Sequence, residues 1–402
     1  MNRSPCPIQT GLLTSAYRPL IQADYAPARP RASSVPLLHS VPTGKSPDSA
    51  FSEALETKSR AKPPPFYSPL PVFKKVASTP NELLTQDKIS NVELLSRSYN
   101  ERRINDFTRP PRGGDLHTAV TALARARNVI LCTGFNVAEG MPETDGPPGL
   151  AALGHALHVL GKTVTFVTDR INMPLVRAAL QVLDPQVADQ VTFDVMDEKD
   201  DDAIPRANQI LDARQADLVL ALELTGRNVD GKRLNMRGVN INEFNSAVDE
   251  VMNQANRRKL QTIGVGDGGN EAGMGGAEHV PTAMNGELMQ SAIRARHQVF
   301  AWNSNLGGIA IAEILLAIGS RKDKSCTGEQ LTGMISAVIA LGAVDGVTRG
   351  RNLNEQVENH LGVTGKTEHT GVDGFDTTTH TVFLDMVKKI TRNIPSSSER
   401  KI

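Results

Sequence analysis

From residue 128 onward, short apolar runs rich in β-branched residues alternate with segments whose apolar positions recur every three to four residues. The runs predict strands at 128–133, 163–168, 191–195, 217–222, 260–265 and 298–302. The helical spacing predicts helices at 148–160, 173–183, 202–213 and 243–259, and again at 308–318, 328–341 and 380–390. Residues 81–103 read as one or two helices with a polar face. Regular alternation of strand and helix predicts an α/β fold: a mostly parallel, doubly wound, Rossmann-like sheet wrapped by helices. No internal repeat interrupts it.

The first 80 residues break this pattern. They hold 14 of the 24 prolines and show no apolar periodicity. Such a segment buries too little apolar surface to offset its ordering entropy, so residues 1–80 are expected to form a disordered leader. A single domain is expected over 81–392, followed by a flexible tail at 393–402. Up to Lys45 the leader carries Arg3, Arg18, Arg29, Arg31 and Lys45 against one acid, Asp24. An Arg- and Ser-rich, acid-poor leader suits a transit peptide, hence the mitochondrial matrix in a eukaryote. It equally suits an export signal on a secreted bacterial effector. A bacterial cytoplasmic protein with an untargeted tail is the third reading.

Charge is balanced, with 44 basic and 44 acidic side chains. That gives no reason to expect nucleic-acid or membrane-surface partners. No apolar run approaches the roughly 20 residues that span a bilayer. Cys6, Cys132 and Cys326 are odd in number and widely spaced, with neither disulfide nor zinc spacing. Cys132 reads as a buried, inert thiol. The composition leaves homo-oligomerisation open.

The densest chemistry lies in Gly264-Val-Gly-Asp-Gly-Gly-Asn-Glu-Ala-Gly-Met-Gly-Gly276, where seven of thirteen residues are glycine. Gly264, Gly266 and Gly269 satisfy a dinucleotide fingerprint, but no helix pattern starts there, and Asp267 would repel a pyrophosphate. No nucleotide cofactor is expected. Five predicted strands deliver polar, glycine-flanked residues beyond their carboxyl ends, where open α/β sheets bind ligands. These include Thr133, Asp169, Glu223, the glycine loop and Asn303-Ser304-Asn305. Glu143, Asp145, Asp267 and Glu271 are the candidate catalytic acids. As hard oxygen ligands they would also suit a divalent metal, Mn²⁺ or Mg²⁺. Arg237 and Arg227 could clamp a carboxylate through their planar forks. Asn235, Asn270, Asn303, Ser304, Asn305 and Thr133 complete the candidate substrate-binding set. Asp345 and Asp373, each within Val-Asp-Gly, read first as turn residues.

Seven motifs then appear in order: Thr133-Gly-Phe135, Glu143-Thr-Asp-Gly-Pro-Pro-Gly149, Asn235-Met-Arg-Gly238, Gly264-Val-Gly-Asp-Gly-Gly-Asn-Glu271, Gly273-Met-Gly275, Asn303-Ser-Asn305 with Gly307-Gly308, and Gly342-Ala-Val-Asp-Gly-Val347. Together they resemble the C-terminal domain of the D-glutamate cyclase family, from roughly residue 81 to 390. The resemblance implies a lyase that converts D-glutamate, a small amino-acid substrate, to 5-oxo-D-proline plus water. Three places depart from the family pattern. Leu224-Thr225 stand where the family usually has Arg-Pro, Arg233-Leu234 stand where aromatic residues often precede Asn-Met-Arg-Gly, and Ala272 stands where isoleucine is common. Two other function classes use the same residues: a metal-dependent hydrolase of a phosphorylated small molecule, and a catalytically silent effector that binds a host partner.

Overall fold

The computed structural model describes residues 80–99, 115–276, 281–346 and 371–395, all within one compact unit, Lys75–Ile402. Nearly all of the expected leader, and the last seven residues of the expected tail, lie outside the described residues.

Six strands form one parallel sheet: β1 (Asn128–Gly134), β4 (Thr163–Thr168), β5 (Thr192–Val195), β6 (Leu218–Leu224), β7 (Gln261–Gly266) and β8 (His297–Phe300). Two short strands, β2 (Asn136–Ala138) and β3 (Met141–Pro142), make a separate hairpin between β1 and the first crossover. The sheet order is β5-β4-β1-β6-β7-β8. The chain starts in the middle, winds outward to β5, and returns to build the other half. This is the doubly wound arrangement, and the order reverses between β1 and β6.

Alternation along the strands explains the two cores. Val129 and Leu131 of β1, with Leu218, Leu220 and Leu222 of β6, face the larger apolar cluster. It is shared with α1 (Pro80–Ser96), α2 (Asp115–Arg125), α3 (Pro147–Val159) and α4 (Met173–Leu183). Ile130, Cys132, Val219 and Ala221 face the opposite cluster. Burial pushes the Cys132 thiol pKa well up, so it stays protonated. A short helix, α5 (Pro185–Gln190), follows α4, while α6 (Ala203–Ala213) and α7 (Asp249–Arg257) cover the second face. Each large side chain buried this way contributes about 1.5–3 kcal/mol.

The larger cluster is completed by α8 (Ser304–Ile318), α9 (Gly328–Ala340) and α10 (Thr377–Thr391). A last hairpin, β9 (Gly371–Val372) and β10 (Phe375–Asp376), precedes α10. Helices α3 and α8 approach so closely that a Cβ on Gly149 would lie 2.5 Å from Asn305 Cα. Glycine is required there by backbone contact.

The expected alternation is therefore realised, with local differences. Helix α8 begins at Ser304 rather than 308, because the Asn303 side chain caps it by accepting from Leu306 N–H. The expected helix at 243–259 is a short 3₁₀ turn, Asn242–Phe244, followed by α7. Asn245 breaks it, donating to Asn136 O (2.8 Å) and Ile241 O (2.9 Å). Helix α2 was not expected, although Leu116, Ala119, Val120 and Leu123 bury one face at helical spacing.

Candidate active site

The reversal of strand order opens a crevice at the carboxyl ends of β1 and β6, and a cavity of about 450 Å³ lies there. Its lining includes Glu143, Glu223, Asp267, Asp373, Asn235, Arg237, Tyr99 and Trp302. A larger and more open depression, about 700 Å³, lies at the far end of α8 beside Lys322 and Arg392. It holds none of the candidate residues.

Glu223 enters the cavity through a fault in β6. Cys132 pairs with Ala221, but Gly134 pairs with Leu224, so β6 carries one extra residue. Glu223 has φ 44°, in the left-handed region. A bulge with such a residue bends the strand and re-aims its side chain. Ser304 Oγ donates to Glu223 Oε2 (2.6 Å), and Thr133 Oγ1 donates to the Glu223 carbonyl (3.3 Å). Burial, then the neighbouring Glu271, Asp145, Glu143 and Asp373, hold the Glu223 carboxyl well above the usual range.

Asp145 is built into the framework. Its Oδ1 accepts from Gly146 N–H (2.9 Å) and Asn305 N–H (2.7 Å). Its Oδ2 accepts from Ser304 N–H (3.0 Å) and Asn303 Nδ2 (2.9 Å). The carboxylate thus sits on the N-terminus of α8, where a negative charge is favoured. Burial and then Asp373 push its pKa up, while the Asn305 amide pulls it down. Asn305 in turn accepts from Gly146 N–H (3.0 Å) and Gly149 N–H (2.8 Å). The 143–149 turn and α8 are thereby locked together.

Glu271 plays the matching part in the glycine loop. It accepts from the N–H groups of Asp267 (3.0 Å), Gly268 (2.6 Å) and Gly269 (2.7 Å). In an anion-binding loop such amides face a ligand; here they close on the loop's own carboxylate. Asn270 Nδ2 donates to Leu234 O (2.8 Å), tying the loop to the Asn235 turn.

Of the four acids singled out in the sequence, Glu143 and Asp267 line the cavity, whereas Asp145 and Glu271 lie behind it. Asn235 and Asn270 are also in the lining. Asn235 Oδ1 accepts from Arg237 N–H (3.0 Å) and Val239 N–H (3.1 Å), and its buried Nδ2 has no hydrogen-bond partner. The Arg237 guanidinium lines the cavity and makes no hydrogen bond to the described residues. Thr133, Asn303, Ser304 and Asn305 are buried beneath the cavity and orient its acids. Arg227 does not join them. Its fork is occupied by Asp249 (3.1 Å) and Glu250, so the expected carboxylate clamp is an internal ion pair. Asp169 is likewise structural, accepting from Asn172 and Asn136.

Two acids absent from the candidate set complete the lining, Glu223 and Asp373. Asp373 (φ 55°) and Gly374 (φ 81°) form the tight turn of the β9–β10 hairpin. The Asp-Gly pair was the signal for that turn, but not for its place in the cavity. Trp302, expected to end a strand, lies beyond β8 and packs edge-on against Phe375 (4.7 Å) and Tyr99 (5.8 Å). Leu224 points into the second apolar cluster, near Ala272, and away from the lining.

Carboxylate oxygens of Asp145, Asp267 and Asp373 lie within 4.8 Å of one another, and so do those of Glu223, Asp267 and Glu271. Asp267 belongs to both groups. A cation binding at Asp145 or Glu271 would compete with the amides already bound to them.

The profile of the "D-glutamate cyclase-like, C-terminal" family matches residues 92–386. The chain belongs to that family. A curated relative, the mitochondrial D-glutamate cyclase of Homo sapiens, is 31% identical over 210 residues, 49% of this chain and 34% of the relative. The match thus spans about a third of that relative's length. An exopolyphosphatase-related protein from Bacteroides fragilis is 12% identical over 72% of this chain and 64% of its own, with a TM-score of 0.30. That likeness is too slight to carry an argument.

Proposed function

We infer that this chain cyclises D-glutamate to 5-oxo-D-proline. The observation that carries the reading is the polarity of the cavity: four acids, Glu143, Glu223, Asp267 and Asp373, line it, and Arg237 with Asn235 supplies donors. A zwitterion with an additional carboxyl group complements such a lining. The family and the name of the human relative favour glutamate as that zwitterion.

Arg237 and the Asn235 amide bind the α-carboxylate. The ammonium group lies among the acids, and the γ-carboxyl folds back toward it. The amine nitrogen bonds to the γ-carbon while one γ-oxygen leaves. Two ammonium protons depart with that oxygen as water, so the step balances without a co-reactant. Asp267 takes a proton from the ammonium group, while Glu223, held above its usual range and so protonated, gives one to the departing oxygen and is reprotonated through Asp267. Both reacting groups belong to one molecule, so the cavity contributes orientation: it holds the substrate folded with its amine against the γ-carboxyl. A divalent cation would be held at Asp267, beside Glu223 or Asp373, and would polarise the γ-carboxyl.

The reading is tested by incubating the full chain with D- and L-glutamate, with and without Mn²⁺, and following 5-oxoproline. Formation from the D-enantiomer in preference to the L supports it. No product under any metal condition overturns it. In the same reading residues 1–80 are a targeting leader, consistent with the mitochondrial human relative. Fusion of that segment to a reporter tests the destination.

A further inference from the structure

Asn303 makes an unusual use of one amide. Its Nδ2 donates one hydrogen to Asp145 Oδ2 (2.9 Å) and the other to Asp373 Oδ2 (2.6 Å). Its Oδ1 caps α8 by accepting from Leu306 N–H (3.3 Å). All of its hydrogen-bonding groups are thereby engaged, and the side chain is fully buried beneath the cavity. The two carboxyl groups, from distant segments, also hydrogen-bond each other directly, and would repel one another if both were ionised. An amide NH₂ between them offers each an N–H and adds no charge.

The two acids differ in how well they are otherwise held. Asp145 has three backbone N–H donors besides Asn303. Asp373 sits at the tip of a hairpin of two residues per strand, a unit with little stability of its own. The Asp373 carboxyl also hydrogen-bonds that of Asp145 directly, and further ties reach the hairpin: Thr144 Oγ1 to Gly371 O (3.2 Å), Gly374 N–H to Asp345 (2.7 Å), and the Phe375 ring against Tyr99 and Trp302.

Resting on the cyclisation reading for its function, we propose that Asn303 is a positioning residue: its amide clamps Asp373 to the rigid Asp145–α8 framework and so sets where the hairpin's carboxylate stands in the cavity. Asn303 acts through Asp373, and the ligand need not touch it.

The test compares Asn303→Ser and Asn303→Asp with wild type. Serine preserves the α8 cap but cannot reach both acids. Aspartate preserves the shape but presents oxygen where the clamp needs N–H. Trp302 is the chain's single tryptophan and packs 4.7 Å from Phe375 of the hairpin, so its emission and acrylamide quenching report hairpin docking without reference to activity. Both variants are expected to keep the far-UV signal of the fold, to shift Trp302 emission to the red, and to quench more readily. For Asn303→Ser, 5-oxoproline formation should fall at least about tenfold in kcat, as for loss of a charge-assisted bond, with KM little changed. Emission and quenching like wild type in both variants would overturn the clamp. So would loss of the far-UV signal in both, which would make Asn303 a residue of folding. If wild type forms no 5-oxoproline, the cyclisation reading fails, and the tryptophan comparison still decides the clamp.

Discussion

The 143–149 turn and the glycine loop each carry two acids and use them in opposite ways. Glu143 and Asp267 line the cavity, while Asp145 and Glu271 turn toward backbone amides. The two anchors differ in reach. Glu271 accepts from residues two to four positions earlier and closes its own loop. Asp145 accepts from Ser304 and Asn305, 159 and 160 residues away, and joins one crossover to another. Residue type does not separate a cavity-lining acid from an anchoring one. Its place relative to the cavity and the backbone amides does.

That contrast can be broken by mutation. Asp145→Ala strands several buried donors at once, so urea unfolding should show a loss of about 3 kcal/mol or more. Glu271→Ala should cost less, because its amides can relax with the loop. Glu223→Gln and Asp267→Asn should instead lower turnover about 100-fold or more and leave the melting temperature unchanged or raised. An Asp145→Ala protein as stable as wild type would remove the distinction.

The two arginines sharpen the same comparison at smaller scale. Arg237→Lys keeps the charge but loses the planar fork, and KM for D-glutamate should rise roughly tenfold. Arg227→Ala breaks the pairs to Asp249 and Glu250, so it should cost about 2 kcal/mol of stability with KM near wild type. A large KM change in Arg227→Ala alone would reverse the assignment.

The smallest effect is in the pH dependence of stability. Burial and its acidic neighbours raise Glu223 above its ordinary 4.5. Above that value the unfolded chain has lost a proton that the folded protein keeps, so this group lowers stability progressively as pH rises toward its folded value. Glu223→Gln has no such term. Its melting-temperature advantage over wild type should therefore widen as pH rises above about 4.5. A gap that stays constant or narrows as pH rises would show that Glu223 is not held above its ordinary value.

Much of the fold was legible because strands and helices alternate with clear periods, as in Val129–Leu131 against Ile130–Cys132. The edge carrying the site was legible too, since polar and glycine residues follow the strands. The orientation of the acids was not. Glu271 faces inward because of backbone dihedrals that no side-chain pattern records. Asp373 reads as an Asp-Gly turn, and its arrival in the cavity depends on Asn303, 70 residues earlier in the chain. Arg227 looked like a substrate clamp until Asp249 and Glu250 came to face it.

The bulge at Glu223 has a consequence for how the chain can vary. Leu218, Leu220 and Leu222 share one core, yet Leu224 lies in the other, with Ala221. The extra residue resets the strand's phase. Deleting Glu223 would restore simple alternation, leave Leu224 on its present face, and remove the carboxylate from the crevice. Descent along this strand end should thus proceed by exchange rather than by insertion or loss. Leu224, next to Glu223 in sequence, carries its side chain on the far side of the sheet, with Ala221 and Ala272.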